Sequence, residues 1–112
     1  MRDDVAYLRH ILDAIARIES YSSGGRSAFM SELLIQDAVL RNLEVIGEAV
    51  KGLSPQVRSE APEVPWVQIA GMRDVLIHQY FGVNLETVWN AVEGRLPELK
   101  AAALRLLAQR QP

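Results

Sequence analysis

Four polar residues that could act on a phosphate ester lie close together near the end of the third predicted helix: Arg73, Asp74, His78 and Tyr80. An arginine is a permanent cation whose planar donors match phosphate oxygens. A histidine exchanges a proton near neutral pH, and a carboxylate such as Asp74 can orient its imidazole. These residue types therefore favour acid–base chemistry beside a bound anion, with Arg73, Asp74 and His78 as the catalytic candidates.

Helical geometry decides which of these side chains share a face. At about 100° per residue, Arg73 and Tyr80 lie on nearly the same face, two turns apart. Asp74 and His78 are neighbours at i and i+4, which is equally the spacing of an ordinary surface pair. Arg73 and His78 lie about 140° apart, so one helix presents them poorly to a common substrate. Two antiparallel copies of the helix across a dyad would form a shared cleft.

The first two predicted helices follow from apolar spacing. Apolar residues at steps of three and four predict helix one over about residues 3–22, and the Ser-Ser-Gly-Gly segment at 22–25 predicts a turn after it. Helix two is predicted over 27–52 and is apolar around most of its circumference. Such a helix needs cover on more than one side, so we expect it to be central and to face a partner subunit in part.

Prolines mark the connection to the helix that carries the polar residues. Residues 53–65 are rich in proline, which predicts a connection containing one short helical turn. Helix three is predicted to begin at Pro65 and Trp66, because proline is tolerated in a first turn. It is predicted to continue to Tyr80 or Phe81, before Gly82 ends it.

The last predicted helix contains a proline. Asn84 is expected to cap helix four. Pro97 is expected to kink or break it, so that residues 98–110 form a redirected terminal helix. The sequence therefore predicts an all-α fold, an up-down bundle of four main helices plus a kinked C-terminal helix, as a single domain over residues 1–112.

Composition limits the class of protein. The 112-residue chain has no cysteine, which excludes disulfides and thiolate zinc sites and favours a cytoplasmic protein. The formal net charge is −2, so any contact with nucleic acid must come from a local patch. The N-terminal segment has the pattern of neither a signal peptide nor a membrane span. We expect no membrane association, no cofactor and no metal, because His78 lacks a companion cluster of histidines and carboxylates.

The spacing Arg73-x4-His78-x-Tyr80 resembles the R-x4-6-H-x-Y motif of HepT-like toxins, members of the HEPN superfamily of helical domains. The resemblance covers nearly the whole chain. The other segments that follow the family pattern are Pro65-Trp66, Gly71-Met72-Arg73-Asp74, His78-Gln79-Tyr80-Phe81, Val88-Trp89, and Arg41 with Ile46-Gly47-Glu48-Ala49.

This resemblance implies a HEPN-like fold and a metal-independent endoribonuclease, the toxin of a type II-like or type VII toxin–antitoxin module with a nucleotidyltransferase antitoxin. It implies a homodimer and RNA as substrate. His78 would deprotonate the ribose 2′-hydroxyl or protonate the leaving 5′-oxygen, Arg73 would stabilise charge on the phosphorane, and Asp74 would orient His78. The antitoxin would silence the toxin by adenylylation of Tyr80.

Residues outside the motif have structural interpretations as well as functional ones. Glu48 lies on the mostly apolar helix two, where it either points to solvent or reaches a cation such as Arg73 or Arg41 as a supporting residue. His10 lies on the charged face of helix one and is expected to be solvated. Trp66 and Trp89 are expected to be core or interface anchors rather than surfaces for base stacking.

Two other function classes remain open. The first is a non-catalytic helical binding partner and modification substrate of a nucleotidyltransferase, which the slightly acidic charge balance favours. The second is a structural bundle without chemistry. Alanine at His78 separates these classes from the ribonuclease, because only the ribonuclease would lose RNA cleavage.

Overall fold

The computed structural model describes residues 3–78 and 82–110, and this part of the chain contains helices and no strand. The all-α prediction is confirmed. A π-helical stretch at Ala91–Arg95 joins the last two α-helices. In chain order the α-helices are α1 Asp4–Tyr21, α2 Gly25–Ser31, α3 Leu33–Gly52, α4 Pro55–Ser59, α5 Trp66–His78, α6 Leu85–Asn90 and α7 Leu96–Ala108.

Helix α1 matches predicted helix one within a residue at each end. Asp3 caps its start by accepting a hydrogen bond from the Ala6 amide at 3.0 Å. At its end the Ser22 hydroxyl donates to the Ile18 carbonyl at 2.6 Å. One face of the helix is buried in the core and consists of Leu8, Ile11, Ala14, Ile15 and Ile18.

The prediction of one helix over 27–52 is wrong, because the helix is interrupted at Glu32. Its backbone is extended, with φ −116° and ψ 111°. The Gln36 amide donates to the Phe29 carbonyl at the end of α2, at 2.9 Å, and the Ser31 hydroxyl donates to the Ser27 carbonyl one turn earlier. Apolar spacing does not record such local polar contacts, so the pattern predicted a continuous helix.

Helix α3 is the central helix, as predicted, and packs mainly against α1 and α5. Glycine at its last position leaves room for the ring of Tyr7 from α1. A Cβ atom at Gly52 would lie 2.5 Å from the Tyr7 ring. The side chains that α3 buries at this centre are mostly aliphatic and include Val39, Leu43, Ile46 and Val50.

The connection before α5 is held by a tryptophan. Within it α4 provides the predicted short helical turn, capped by Ser54. The indole N–H of Trp66 donates to the Arg58 and Ala61 carbonyls, each at 2.9 Å. Trp66 is buried, which confirms it as a core anchor and ties the start of α5 to the connection. Trp89, the second predicted anchor, is also buried and packs against Phe29.

The interruption predicted at Pro97 takes a different form. Pro97 lies in the first turn of α7, and the preceding Leu96 is helical, with φ −64° and ψ −40°. The departure from α-helical geometry is the π-helical stretch just upstream. A proline lacks an amide hydrogen and crowds the carbonyl four residues earlier, here Glu93, and a widened turn relieves that crowding. The helical path therefore continues through the proline.

None of the helices in the described ranges combines the length and the apolar character needed to cross a membrane.

Candidate functional site

Helix α5 carries three of the four motif residues: Arg73, Asp74 and His78. The fourth, Tyr80, lies outside the described residues. The helix begins at Trp66, as predicted, and is described up to His78. Its main packing partner is α3, so α3 decides how the motif residues are held.

Gly47 of α3 allows the two helices to touch at Arg73. A Cβ atom at position 47 would lie 2.8 Å from the Arg73 Cβ and 3.2 Å from the Ile69 carbonyl oxygen. Neither is the far end of a flexible side chain, so the contact tolerates only hydrogen on Cα of Gly47. Glycine inside a helix costs about 1 kcal/mol relative to alanine, and this close packing explains its presence. Gly47 is therefore a positioning residue for Arg73.

The Arg73 guanidinium is held by two carboxylates. Its Nε is paired with Oε2 of Glu48, and its Nη1 donates to Oδ1 of Asp74 at 3.1 Å. The Arg73 side chain is 32 % exposed, so it remains open to a ligand. Of the two cations considered for Glu48, the structure selects Arg73, while Arg41 pairs with Glu44 at 3.4 Å.

Asp74 contacts cations rather than the imidazole. Besides Arg73, its Oδ1 lies 4.0 Å from the Lys51 ammonium. Across residues 3–78 and 82–110 no hydrogen bond joins Asp74 and His78, although their i, i+4 spacing permits one. The role of Asp74 in orienting His78 stays a prediction that requires a different side-chain rotamer. Lys51 was not identified from sequence, because only the packing of α3 on α5 brings it here.

A cleft of about 240 Å³ lies beside Arg73. Helix α5 contributes Arg73 and Ile77 to it, and α1 contributes Tyr7 and His10. His78 follows Ile77 by one residue, a turn of about 100° around the helix, and does not line this cleft. Within one chain the histidine that shares a cavity with Arg73 is therefore His10.

His10 is exposed, as expected. It also lines the cleft beside Arg73, which its charged neighbours on helix one did not indicate. Its ring meets the Tyr7 ring edge-on, with centroids 6.2 Å apart. The signal available in the sequence was the Tyr7–His10 spacing of i, i+3, which places two rings on one face of helix one. Nothing local shows that this face lines a cleft with Arg73, because the cleft lies between α1, α3 and α5.

Comparison with known proteins shows the family to which this chain belongs. The family model described as ribonuclease HepT-like matches residues 11–106. A protein of Caldanaerobacter subterraneus named a "putative RNase" is 38% identical over 115 residues, covering 99% of this chain and 100% of that protein. A "probable ribonuclease HepT" of Thermococcus cleftensis is 41% identical over 95 residues, covering 84% of this chain and 86% of that protein.

A further relative is longer than this chain. It is a Methanocaldococcus jannaschii protein named a gamma-glutamylcyclotransferase and "putative RNase", 41% identical over 111 residues. The match covers 97% of this chain and spans 50% of that relative's length. No solved structure gives a significant match. Because the family model covers most of the chain and a relative is matched over its full length, the chain belongs to the HepT-like ribonuclease family.

Proposed function

We propose that this protein is a metal-independent endoribonuclease and the toxin of a type II-like or type VII toxin–antitoxin module, acting in the cytoplasm. The observation that carries the proposal is the placement of Arg73. Its backbone sits against Gly47, its guanidinium is held by Glu48 and Asp74, and its side chain remains partly exposed at a cleft. A fixed but accessible cation of this kind suits a phosphodiester.

The proposed reaction is an attack of the ribose 2′-oxygen on the neighbouring phosphorus. The bond from phosphorus to the 5′-oxygen breaks, which leaves a 2′,3′-cyclic phosphate and a 5′-hydroxyl. His78 takes the proton of the 2′-hydroxyl or supplies a proton to the departing 5′-oxygen. Arg73 stabilises the negative charge that develops on the phosphorane oxygens. No step requires a redox partner.

A homodimer is part of this proposal, because Arg73 and His78 face different directions on α5. Two copies of α5 related by a twofold axis would bring Arg73 of one protomer near His78 of the other. Exposed apolar side chains on the same helix support such a partner: Val67, Val75 and Ile77 are 77%, 50% and 43% exposed. A second copy of α5 would cover part of this apolar surface.

The proposed switch is adenylylation of Tyr80 by a nucleotidyltransferase antitoxin. Tyr80 follows His78 by two residues in the sequence. A phosphodiester attached to its phenol would bring negative charge close to the motif and compete with substrate phosphate for Arg73.

The test of the activity is His78→Ala in the full chain. Wild-type protein should cleave RNA and arrest growth on expression, whereas His78→Ala should lose at least about 100-fold in cleavage rate, because a proton-transfer group is removed. The side chain of His78 is exposed, so the variant should keep its fold. Arg26→Gln is the matched control, since Arg26 pairs with Glu86 at 2.7 Å on an exposed surface outside the motif.

A His78→Ala protein that cleaves RNA at the wild-type rate would contradict the mechanism. The second candidate, a non-catalytic partner and modification substrate of a nucleotidyltransferase, is favoured by the neutralisation of Arg73 by two carboxylates. It predicts that neither wild type nor variant cleaves RNA, while both bind the nucleotidyltransferase.

A further inference from the structure

The cleft beside Arg73 contains side chains that the proposed reaction does not use. It lies between α1, α3 and α5 and is open to solvent on one side. Besides Arg73 and Glu48, it is lined by Tyr7 and His10 from α1 and by Arg41 and Glu44 from α3. Two arginines, a histidine and a tyrosine therefore share one cavity, although they come from three separate helices.

Arg41 is the most accessible cation of this cleft. Its side chain is 74% exposed, and its contact with Glu44 is long, at 3.4 Å. Glu44 is only 19% exposed, so the carboxylate is held by the protein while the guanidinium extends into solvent. An exposed arginine held by one loose ion pair can rotate towards a phosphate and bind it through two donors.

The two rings on α1 form the opposite wall. Tyr7 and His10 meet edge-on, and the groups that face them from the other helices are Arg41, Glu44, Glu48 and Arg73. The exposed imidazole of His10 offers nitrogen atoms for hydrogen bonds, and aromatic surfaces commonly pack against sugars and bases of single-stranded RNA. One wall is thus suited to a backbone phosphate and the other to the adjoining nucleoside.

We propose that this cleft is an RNA subsite next to the cleaved bond, in which Arg41 binds a phosphate of the strand and His10 contacts the same nucleotide. The inference rests on the proposed function, to which it adds two substrate-binding residues. The cleft volume of about 240 Å³ is below the roughly 300–1,000 Å³ typical of pockets that enclose a whole ligand. It is therefore too small to enclose a long segment of RNA, and we assign to it one nucleotide of a strand that continues across the surface.

The carboxylates that line the cleft allow the proposed subsite to be distinguished from a structural ion pair by measuring RNA affinity. Arg41 and Arg73 are paired with Glu44 and Glu48, so an entering phosphate competes with a carboxylate for each guanidinium. Removing the charge of Glu44 should free Arg41 and strengthen RNA binding. Removing Arg41 should weaken it. A purely structural Arg41–Glu44 pair would instead give two variants with unchanged RNA affinity.

The experiment measures binding of a single-stranded 2′-O-methyl RNA oligonucleotide, which lacks the attacking hydroxyl and cannot be cleaved. Arg41→Gln should weaken binding on the order of fivefold and lower the slope of log affinity against log salt by about 0.7, the value for one phosphate contact on a single strand. His10→Ala should also weaken binding, and Glu44→Gln should strengthen it. Arg41→Lys should restore the salt slope, because a cation remains.

Arg26→Gln is again the control, because it removes an exposed, ion-paired arginine outside the cleft. The inference is overturned if Arg41→Gln and His10→Ala bind RNA no more weakly than Arg26→Gln, or if wild-type protein binds no RNA. Failure of the proposed function gives a different result. The 2′-O-methyl RNA would bind with the predicted dependence on Arg41 and His10, while RNA with free 2′-hydroxyls would remain uncut. Thermal unfolding of each variant checks that its fold is retained.

Discussion

The guanidinium of Arg73 is held by carboxylates from two helices, Glu48 of α3 and Asp74 of α5. The side chains of these two carboxylates are 64% and 54% exposed. Exposed ion pairs contribute about 1 kcal/mol or less to folding, so these contacts matter more for the direction of the guanidinium than for stability. A substrate phosphate can displace either carboxylate at small cost.

Tyr80 is the residue on which the proposed regulation depends. Coexpression with a nucleotidyltransferase antitoxin should add one or more adenylates to the protein and stop RNA cleavage, because the added phosphodiester is anionic and close in sequence to Arg73. Intact-mass analysis followed by peptide mapping checks the site. Tyr80→Phe should gain no adenylate mass and stay active after coexpression. Adenylates on Tyr80→Phe, or on another residue of the wild type, would contradict the assignment.

At the residue scale the sequence predicted a chemistry that remains a proposal, and it predicted only some of the contacts. The pairing of Glu48 with Arg73 was one of two possibilities considered, and the structure contains it. Lys51 and His10 were not associated with Arg73. Lys51 lies near Asp74, and His10 lines the cleft beside Arg73, because helices far apart in sequence pack together. Residue spacing along one helix cannot report this.

At the scale of elements, the position of Arg73 depends on the crossing of α3 and α5. Gly47→Ala places a methyl group 2.8 Å from the Arg73 Cβ, so the helices must separate. Overpacking of this kind costs about 1–3 kcal/mol, partly offset by the roughly 1 kcal/mol gain of alanine over glycine in a helix. We expect a net loss of about 1 kcal/mol in unfolding free energy, measured by denaturant titration, and a clear fall in RNA cleavage.

Gly94→Ala is the matched control, because a Cβ atom at Gly94, on the π-helical stretch rather than on α5, would meet nothing within 4 Å. It should raise the unfolding free energy by up to about 1 kcal/mol through helix propensity alone. If Gly47→Ala were as stable and active as Gly94→Ala, the close approach at Arg73 would not position the site.

The errors at this scale concern the ends and continuity of helices. Side-chain hydrogen bonds from Ser31 and Gln36 lie beside the break at Glu32, and a π-helical stretch precedes Pro97. Both are compatible with the apolar spacing of an uninterrupted helix. Spacing predicts which face is buried and is insensitive to one extended residue or one widened turn.

At the scale of the whole molecule, the proposed dimer predicts complementation between two inactive variants. If each site combines Arg73 of one protomer with His78 of the other, a heterodimer of Arg73→Ala and His78→Ala contains one intact site. Random exchange makes half of the dimers heterodimers, so an equal mixture should recover about a quarter of wild-type RNA cleavage. The measurement is cleavage after the two proteins are mixed and allowed to exchange subunits.

A mixture that stays inactive although mass spectrometry detects heterodimers would show that Arg73 and His78 act within one chain. Each variant alone is the control and should remain inactive at every concentration. The mixture must also be compared with an equal amount of wild type, so that recovery is expressed as a fraction of its rate.

The sequence by itself determined the all-α class, the central position of α3 and the family, because each follows from patterns of residues along the chain. The tertiary structure alone decided what surrounds Arg73. The close approach at Gly47 and the meeting of His10 and Arg41 at one cleft depend on where α1, α3 and α5 cross. Helix crossings follow from the packing of whole helix faces. A motif within one helix therefore identifies Arg73 but does not identify the residues that other helices place around it.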